Sequence, residues 1–315
     1  MSDTPQYHKP VLHREAISYL ITDPNGLYID GTLGGGGHSD LILQRLGPNG
    51  KLIAFDKDID AINYCRERFK GILAQSVPQL ELRNESFSKA CSLAEEFGGI
   101  QGLLLDLGVS SKHFDSSSGG FSYRTNSQLD MRFYPVGQTA EDLINSASEE
   151  ELERIFRVYG EEKYSHKIAR RICSIRRVRA LRTTFDLRDA VIQSVPTHNP
   201  MDNLSRVFQA IRIVINRELE ELENTLSSIL PVLKIGGRIV VISYHSLEDR
   251  IVKQFFKEHS EPKTHQNKYK HEQKQSNNVP KLKILTNKPV IPTKEEQQEN
   301  IRSRSAKMRV AERIC

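Results

Sequence analysis

The sequence predicts an α/β protein: a doubly wound, mostly parallel sheet of Rossmann-like type with an inserted helical subdomain. Three observations lead there. A short β-prone run, Leu27-Tyr28-Ile29, meets an acid, Asp30, and then five glycines within seven residues, before a helix-like pattern through Leu41, Ile42 and Leu46. From there to Asp106, apolar strand-like runs alternate with helical patterns. The next convincing buried strand, Arg238-Ile239-Val240-Val241-Ile242-Ser243, then lies more than 130 residues further on, across a stretch that reads mostly as helix. An ordinary crossover spans a few residues around one helix, so a stretch of that size is an insertion.

The totals are consistent with such a chain. Its 315 residues suffice for one large domain or two moderate ones. Hydrophobic residues make up 37% and charged ones 27%, enough for a core inside a soluble protein. No apolar run approaches the roughly 20 residues of a membrane span. The N-terminus lacks the basic start and apolar stretch of a signal peptide, so neither a span nor a leader is expected. Cys65, Cys91, Cys173 and Cys315 are scattered without a C-x-x-C pair. That argues against a zinc cage or a disulfide framework and for a reducing, cytoplasmic setting. The net charge of +5 is modest, so an anionic partner has to be read from where the bases cluster.

Taken in order, His8-Lys9-Pro10-Val11-Leu12 leads into a short helix through Ala16, Ile17 and Leu20. After the glycine loop come a second strand, Leu52-Ile53-Ala54-Phe55, and a helix over 59–69. Leu80-Glu81-Leu82-Arg83 reads as a third strand, and the nearly all-apolar 100–105 as a buried parallel strand ending on Asp106. The expected division is therefore a first sheet segment over 1–109, an inserted helical domain over 110–205, and a second sheet segment over 206–315. Inside the insert, Ser148-Glu149-Glu150-Glu151 has the pattern of a capping-box start. Helices are expected over 149–159, 162–177 and 184–195, with Pro196 and Pro200 closing the insert. One long helix over 204–232, with Val207, Ile211, Val214, Ile215, Leu219 and Leu222 on a stripe, is expected to return the chain to the sheet. The polar stretch 263–278 reads as the body of a mobile loop over about 262–280. Its His265 and His271 lack Cys or acids at ligand spacing, so no metal is expected there. Two late β-prone pieces, 283–291 and 306–311, suit an antiparallel edge to the sheet.

Strand, glycine turn, helix is the opening of a nucleotide-binding unit, because glycines let the chain turn sharply and let a ligand approach the backbone. No Gly-Lys-Ser/Thr follows to hold phosphates. The dinucleotide fingerprint G-x-G-x-x-G fits Gly34 and Gly36, but its third glycine falls on Ser39. S-adenosylmethionine (SAM), which carries no phosphate, suits the loop better. Asp30 is placed to reach its methionine ammonium, directly or through water. Asp56, at the end of the second strand and about twenty residues past the glycines, is placed for the ribose hydroxyls. Asp106 ends the fourth strand beside the glycine loop, since ligands in open α/β sheets sit beyond the carboxyl ends of the strands. The run Ser243-Tyr244-His245-Ser246-Leu247-Glu248-Asp249-Arg250 adds polar groups to the same rim, and no G-x-S-x-G elbow supports a hydrolase. Six arginines fall within 168–182, and Arg302, Arg304, Lys307, Arg309 and Arg313 form a second basic cluster. Two such clusters beside a nucleoside-type site point to nucleic acid.

Several stretches resemble the RsmH (MraW) family. They are His8-Lys9-Pro10-Val11-Leu12, the run from Asp30 to Ser39, Asp106-Leu107-Gly108-Val109-Ser110-Ser111, Leu129-Asp130-Met131-Arg132, Phe208-Gln209-Ala210-Ile211-Arg212, His245-Ser246-Leu247-Glu248-Asp249-Arg250 and Arg302-Ser303-Arg304-Ser305-Ala306. The likeness runs in order from His8 to Arg313. It implies a class I SAM-dependent methyltransferase that modifies the N4 amine of a cytidine in 16S rRNA of the small ribosomal subunit, near the decoding centre, with the helical insert as the substrate-recognition domain. Carried over by position, it implies SAM contacts from Gly36, Gly37, His38, Asp56, Phe87, Asp106 and His113, with Phe87 beside the adenine. His113 departs from the pattern, where glutamine is common. Gly119 stands where arginine is usual, and Tyr123 and Tyr244 replace phenylalanines.

Cytosine N4 is a poor nucleophile because its lone pair is delocalised into the ring. It must be aligned with the sulfonium methyl, and its developing charge met by a carboxylate or carbonyl. Asp106 is the candidate catalytic residue, open to serving SAM, the amine, or both. Two rival readings are a nicotinamide dehydrogenase, disfavoured by the missing third glycine, and a non-catalytic RNA-binding assembly factor, disfavoured by the acids at Asp30, Asp56 and Asp106.

Overall fold

The computed structural model describes residues 10–77, 79–108, 119–261 and 279–315. The stretch around His113 and the polar 262–278 therefore lie outside the described residues. The chain forms two compact units, one built from 6–108 and 220–315, the other from 109–219 together with 1–5.

The first unit is a seven-stranded sheet. In chain order its strands are β1 (Leu27–Asp30), β2 (Lys51–Phe55), β3 (Leu80–Arg83), β4 (Ile100–Asp106), β5 (Leu233–Ser243), β6 (Leu282–Ile284) and β7 (Lys307–Arg313). They lie in the order β3-β2-β1-β4-β5-β7-β6. The first five are parallel, and β7 runs antiparallel between β5 and β6. The chain leaves β1 toward one side of the sheet and β4 toward the other, so the β1/β4 boundary is the switch point at which such sheets open a binding crevice.

Both faces of the sheet are covered, which is why its strands read as unbroken apolar runs. Alternate residues go to opposite faces. Ile29, Ile53, Leu103, Leu105, Ile239 and Val241 pack with Leu226, Ile229 and Phe256 on one face. Tyr28, Leu52, Leu104, Val240 and Ile242 pack with Ile17, Leu20, Ile42 and Ile62 on the other. The fifth strand starts earlier than the Gly236-Gly237 turn suggests. It begins at Leu233, and the extra residues form an irregularity between the pairs Ile100↔Leu233 and Gly102↔Arg238, with Gly236 at φ +78°. The late β-prone pieces are antiparallel, although β7 is an interior strand and only the short β6 forms the edge.

The second unit is mainly helical, with the non-helical stretch 119–139 contributing Phe121, Leu129 and Met131 to its core. Helices span Ala140–Ser146, Glu149–Gly160, Ser165–Arg176, Thr184–Ile192 and Met201–Asn216 around a core that includes Leu152, Phe156, Ile172, Leu187, Val207 and Ile211. Ser148 caps the second of these, accepting the Glu151 N–H at 3.1 Å. The first is absent from the sequence-based expectation, yet it carries a capping box in which Thr139 and Asp142 satisfy each other's backbone N–H groups.

The single helix expected over 204–232 is two. Arg217, at φ +52°, ends one helix, and Glu218–Val232 starts the next. The hydrophobic stripe divides with it: Leu204, Val207 and Ile211 belong to the helical core, while Leu222, Leu226 and Ile229 lie on the sheet. The Asn216 side chain donates to the carbonyls of Met131 and Arg212 and accepts the Phe133 N–H, tying the last turn of that helix to the stretch 131–133. The compact helical unit consequently runs on to Leu219, past the boundary at 205 that Pro196 and Pro200 suggest.

Candidate functional site

The strand-end acids and the glycine loop all belong to the sheet unit, and all lie at the carboxyl ends of β1, β2 and β4. The loop is stapled at its base. Asp30 is fully buried, its Oδ1 accepting the Thr32 N–H at 3.1 Å and its Oδ2 the Ser39 hydroxyl at 2.7 Å. Burial pushes its carboxyl above the usual range, with the Ser39 hydroxyl and His38 pulling the other way. The expectation that Asp30 reaches a ligand ammonium is corrected by this geometry. Its oxygens face inward and tie the end of β1 to the start of the helix Gly37–Leu43.

Two glycines in the loop have specific causes. Gly36 sits at φ +75°, and a Cβ there would come within 2.7 Å of the Phe69 ring. Gly34, at φ +50°, has nothing within 4 Å along its missing Cβ, so the loop's outer side is open at that point. Pro10 lies against Gly37, and Arg68 holds the loop from the side through the Gly35 carbonyl at 2.7 Å and Asp40 at 2.9 Å.

Asp56, at the end of β2, also supports the loop. Its Oδ2 accepts the Gly34 N–H at 2.7 Å and its Oδ1 the Asp58 N–H at 2.8 Å. Burial raises its carboxyl to about 6, against the pull of those two backbone donors. Each carboxylate oxygen retains acceptor capacity, as ribose hydroxyls require. Phe87 opens the short turn after β3, half-buried, with the Lys57 ammonium 6.0 Å from its ring centroid. Beside it Glu221 takes both the Ser86 hydroxyl and the Lys57 ammonium.

Asp106 is the point where these parts meet. Its N–H donates to Thr32 Oγ1 at 2.7 Å. Its Oδ1 accepts the Tyr244 hydroxyl at 2.8 Å, and its Oδ2 lies 3.3 Å from His38 Nε2. That last distance suits an ion pair, though the atoms are off the line of a good hydrogen bond, and His38 Nδ1 is buried without a partner among the described residues. Burial pulls the His38 imidazole down, but Asp106, with Asp30 and Glu296 beyond it, more than reverses this and leaves it above its ordinary value. Burial first, then Asp106, Glu248 and Glu296, hold the Tyr244 hydroxyl well above its ordinary value, so it stays a donor.

The run after β5 is a capping device. His245 caps the helix Ser246–Ser260, its Nδ1 accepting the Glu248 N–H at 3.4 Å, while Glu248 Oε2 accepts the N–H groups of Tyr244 at 2.8 Å and His245 at 3.3 Å. The fold thus brings together Gly36, Gly37, His38, Asp56, Phe87 and Asp106, whereas His113 lies outside the described residues. Sequence reasoning missed Thr32, Glu221 and the Tyr244–Asp106 bond. The signal for the last was only a hydroxyl at the end of the strand next to β4.

The basic clusters have different fates. In the C-terminal one, Arg309 forks onto Asp249 at 2.6 and 3.1 Å, and Arg313 binds the carbonyls of Leu230 at 3.1 Å and Pro231 at 2.8 Å. Those two arginines bind the protein itself, which corrects their reading as part of a nucleic-acid patch. Within 168–182, Arg176 donates to the Ile144 carbonyl at 2.8 Å and Arg179 pairs with Asp186 at 2.6 Å. Arg170, Arg177 and Arg182 are exposed, and their guanidiniums make no bond among the described residues.

Residues 5–314 match the MraW methylase family. A ribosomal RNA small subunit methyltransferase H from Caldicellulosiruptor saccharolyticus is 46% identical, over 98% of this chain and 99% of that protein. The protein of the same name from Hydrogenovibrio crunogenus is 43% identical, over 98% of this chain and 96% of its own length.

Proposed function

The chain belongs to the MraW methylase family, whose members are SAM-dependent methyltransferases, and from that premise we propose that it methylates the N4 amine of a cytidine in 16S rRNA, near the decoding centre of the small subunit. The names of the relatives support small-subunit rRNA as the substrate, and a cytoplasmic setting is part of the same reading. The observation that carries the chemistry is Asp106, a carboxylate at the switch point of the sheet beside the glycine loop.

The residues fit SAM. The loop is open at Gly34, and the strand ends offer acceptors suited to hydroxyls and an ammonium. On this reading the backbone of Gly36, Gly37 and His38 and the carboxylates of Asp56 and Asp106 hold the cofactor, with Phe87 against the adenine and His113 as a further contact. The chemistry SAM supplies when bound is an electrophilic sulfonium methyl. The chain's own part is to hold the amine in line and to face its developing positive charge with the Asp106 carboxylate until a proton is lost. A base must leave its stack to enter such a site, so an unpaired cytidine is the easier substrate. Incubation of unmodified small subunits with SAM, followed by nucleoside digestion and mass spectrometry against a standard, should yield N4-methylcytidine. A methyl on C5, on a ribose oxygen or on another base overturns the assignment.

The RNA contact falls to the helical unit, whose exposed Arg170, Arg177 and Arg182 are free to meet phosphates. Each phosphate neutralised on a single strand contributes about −0.7 to the slope of log affinity against log salt. The double variant R170A/R177A should therefore flatten that slope by about 1.4 while leaving SAM affinity unchanged. An unmoved slope makes this a solvated face. Arg176 is the wrong residue for this test, since its loss would uncap Ile144.

A further inference from the structure

We propose that the Tyr244 hydroxyl is a positioning group for methyl transfer, fixing the Asp106 carboxylate in one orientation so that its second oxygen is presented beside His38. The inference rests on the reading of Asp106 given above and adds a residue to it.

The bond joins two anchored ends. Asp106 is held through its backbone, by its own N–H to Thr32 Oγ1 at 2.7 Å and by the next N–H, of Leu107, to the Ile242 carbonyl at 2.8 Å. Tyr244 is held through its N–H by Glu248 Oε2 at 2.8 Å. Its ring lies over Gly108, where φ is +120° and an added Cβ would come 3.0 Å from the ring. A hydroxyl delivered from so fixed a frame leaves the carboxylate little freedom to turn.

The Asp106 side chain has reason to need that restraint. Asp30 is fully buried, and Asp56 turns both oxygens to backbone N–H groups, whereas Asp106 is 20% exposed. An aspartate open to a substrate samples other rotamers unless something holds it. The chemistry of the holding group also matters. An arginine or lysine would orient the carboxylate but set a permanent cation against it in addition to the His38 imidazole. A phenol orients it and adds no charge of its own. His38 Nε2 marks the second oxygen, 3.3 Å away, and its buried Nδ1 has no partner among the described residues.

The test is Tyr244→Phe, which keeps the ring and removes only the oxygen. SAM affinity by calorimetry should stay within about twofold, and single-turnover transfer at saturating SAM should fall about tenfold or more, the scale of one lost hydrogen bond to a charged group. A merely structural hydroxyl would not split rate from affinity in this way. A variant as fast as the wild type overturns the proposal, as does one whose melting temperature and SAM affinity collapse together, which would make the hydroxyl a structural group. The parallel variant Asp106→Asn separates the two claims. If it is slow while Tyr244→Phe is fast, the role of Asp106 stands and the positioning role falls. If both are fast, the role of Asp106 falls as well.

Discussion

Replacing Asp56 by alanine should weaken SAM binding by roughly 1.5–3 kcal/mol, the scale of hydrogen bonds to a charged group. The expectation follows from its place at the end of β2, where a carboxylate faces the ribose in α/β nucleotide sites. The structure adds a second contribution. Asp56 Oδ2 also accepts the Gly34 N–H at 2.7 Å, so alanine releases the glycine loop as well as the ribose. Asp56→Asn separates the two, since an amide oxygen can keep the Gly34 bond but carries no charge. It should bind SAM more weakly than wild type and better than Asp56→Ala in calorimetry. Unchanged affinity in both variants would remove Asp56 from the site.

The same residue sets a pH dependence. Its carboxyl is raised by burial from 3.8 to about 6, so the folded protein holds that proton more tightly than the unfolded chain. Asp56 therefore favours the folded state most at low pH, and that contribution is lost as pH rises through about 6. SAM acts in the opposite sense, because hydroxyls donate to the ionised form. Its affinity should fall as pH drops through about 6, and this fall should disappear in Asp56→Asn. A midpoint that survives the substitution belongs to another group, and His38 is the first alternative.

How much of this was legible in the sequence depended on the range of the interaction. The parallel strands could be read because both faces of the sheet are buried, which leaves β1, β2 and β4 apolar up to the acids that end them. The direction in which an acid turns could not be read. Asp30 and Asp106 look alike as strand-end acids, yet Ser39 draws one inward while Tyr244, 138 residues away in the chain, holds the other at the crevice. The C-terminal arginines misled for a related reason. On β7, Arg309, Ala311 and Arg313 share one face, and that face meets Asp249 and the end of the helix Glu218–Val232. A basic run counts as a surface patch only when its strand has a solvent face, and β7 is buried from Met308 to Ala311. The break at Arg217 was hidden because the two helices share one continuous stripe, and only the partners of each half distinguish them.

The largest effect is expected from Asp106→Asn. Asparagine keeps the size of the side chain, and its amide oxygen can still accept the Tyr244 hydroxyl that lies 2.8 Å from Oδ1 in the wild type. Its NH2 then faces His38, whose neutral imidazole can accept at Nε2, so the pocket loses a charge with few changes of contact. If Asp106 meets the charge developing on the amine, single-turnover methyl transfer at saturating SAM should fall by about a hundredfold or more, the scale for removing one preorganised electrostatic partner of a transition state. SAM affinity should change only modestly. The opposite pattern, weakened affinity with the saturated rate intact, would assign Asp106 to the cofactor alone. The imidazole provides an independent check. His38 is held above its ordinary value chiefly by Asp106, against burial, so in Asp106→Asn its NMR titration should move to lower pH. A slow variant whose His38 titration has moved has lost the charge at Oδ2. A slow variant whose His38 titrates as before has lost activity for a reason outside this pair.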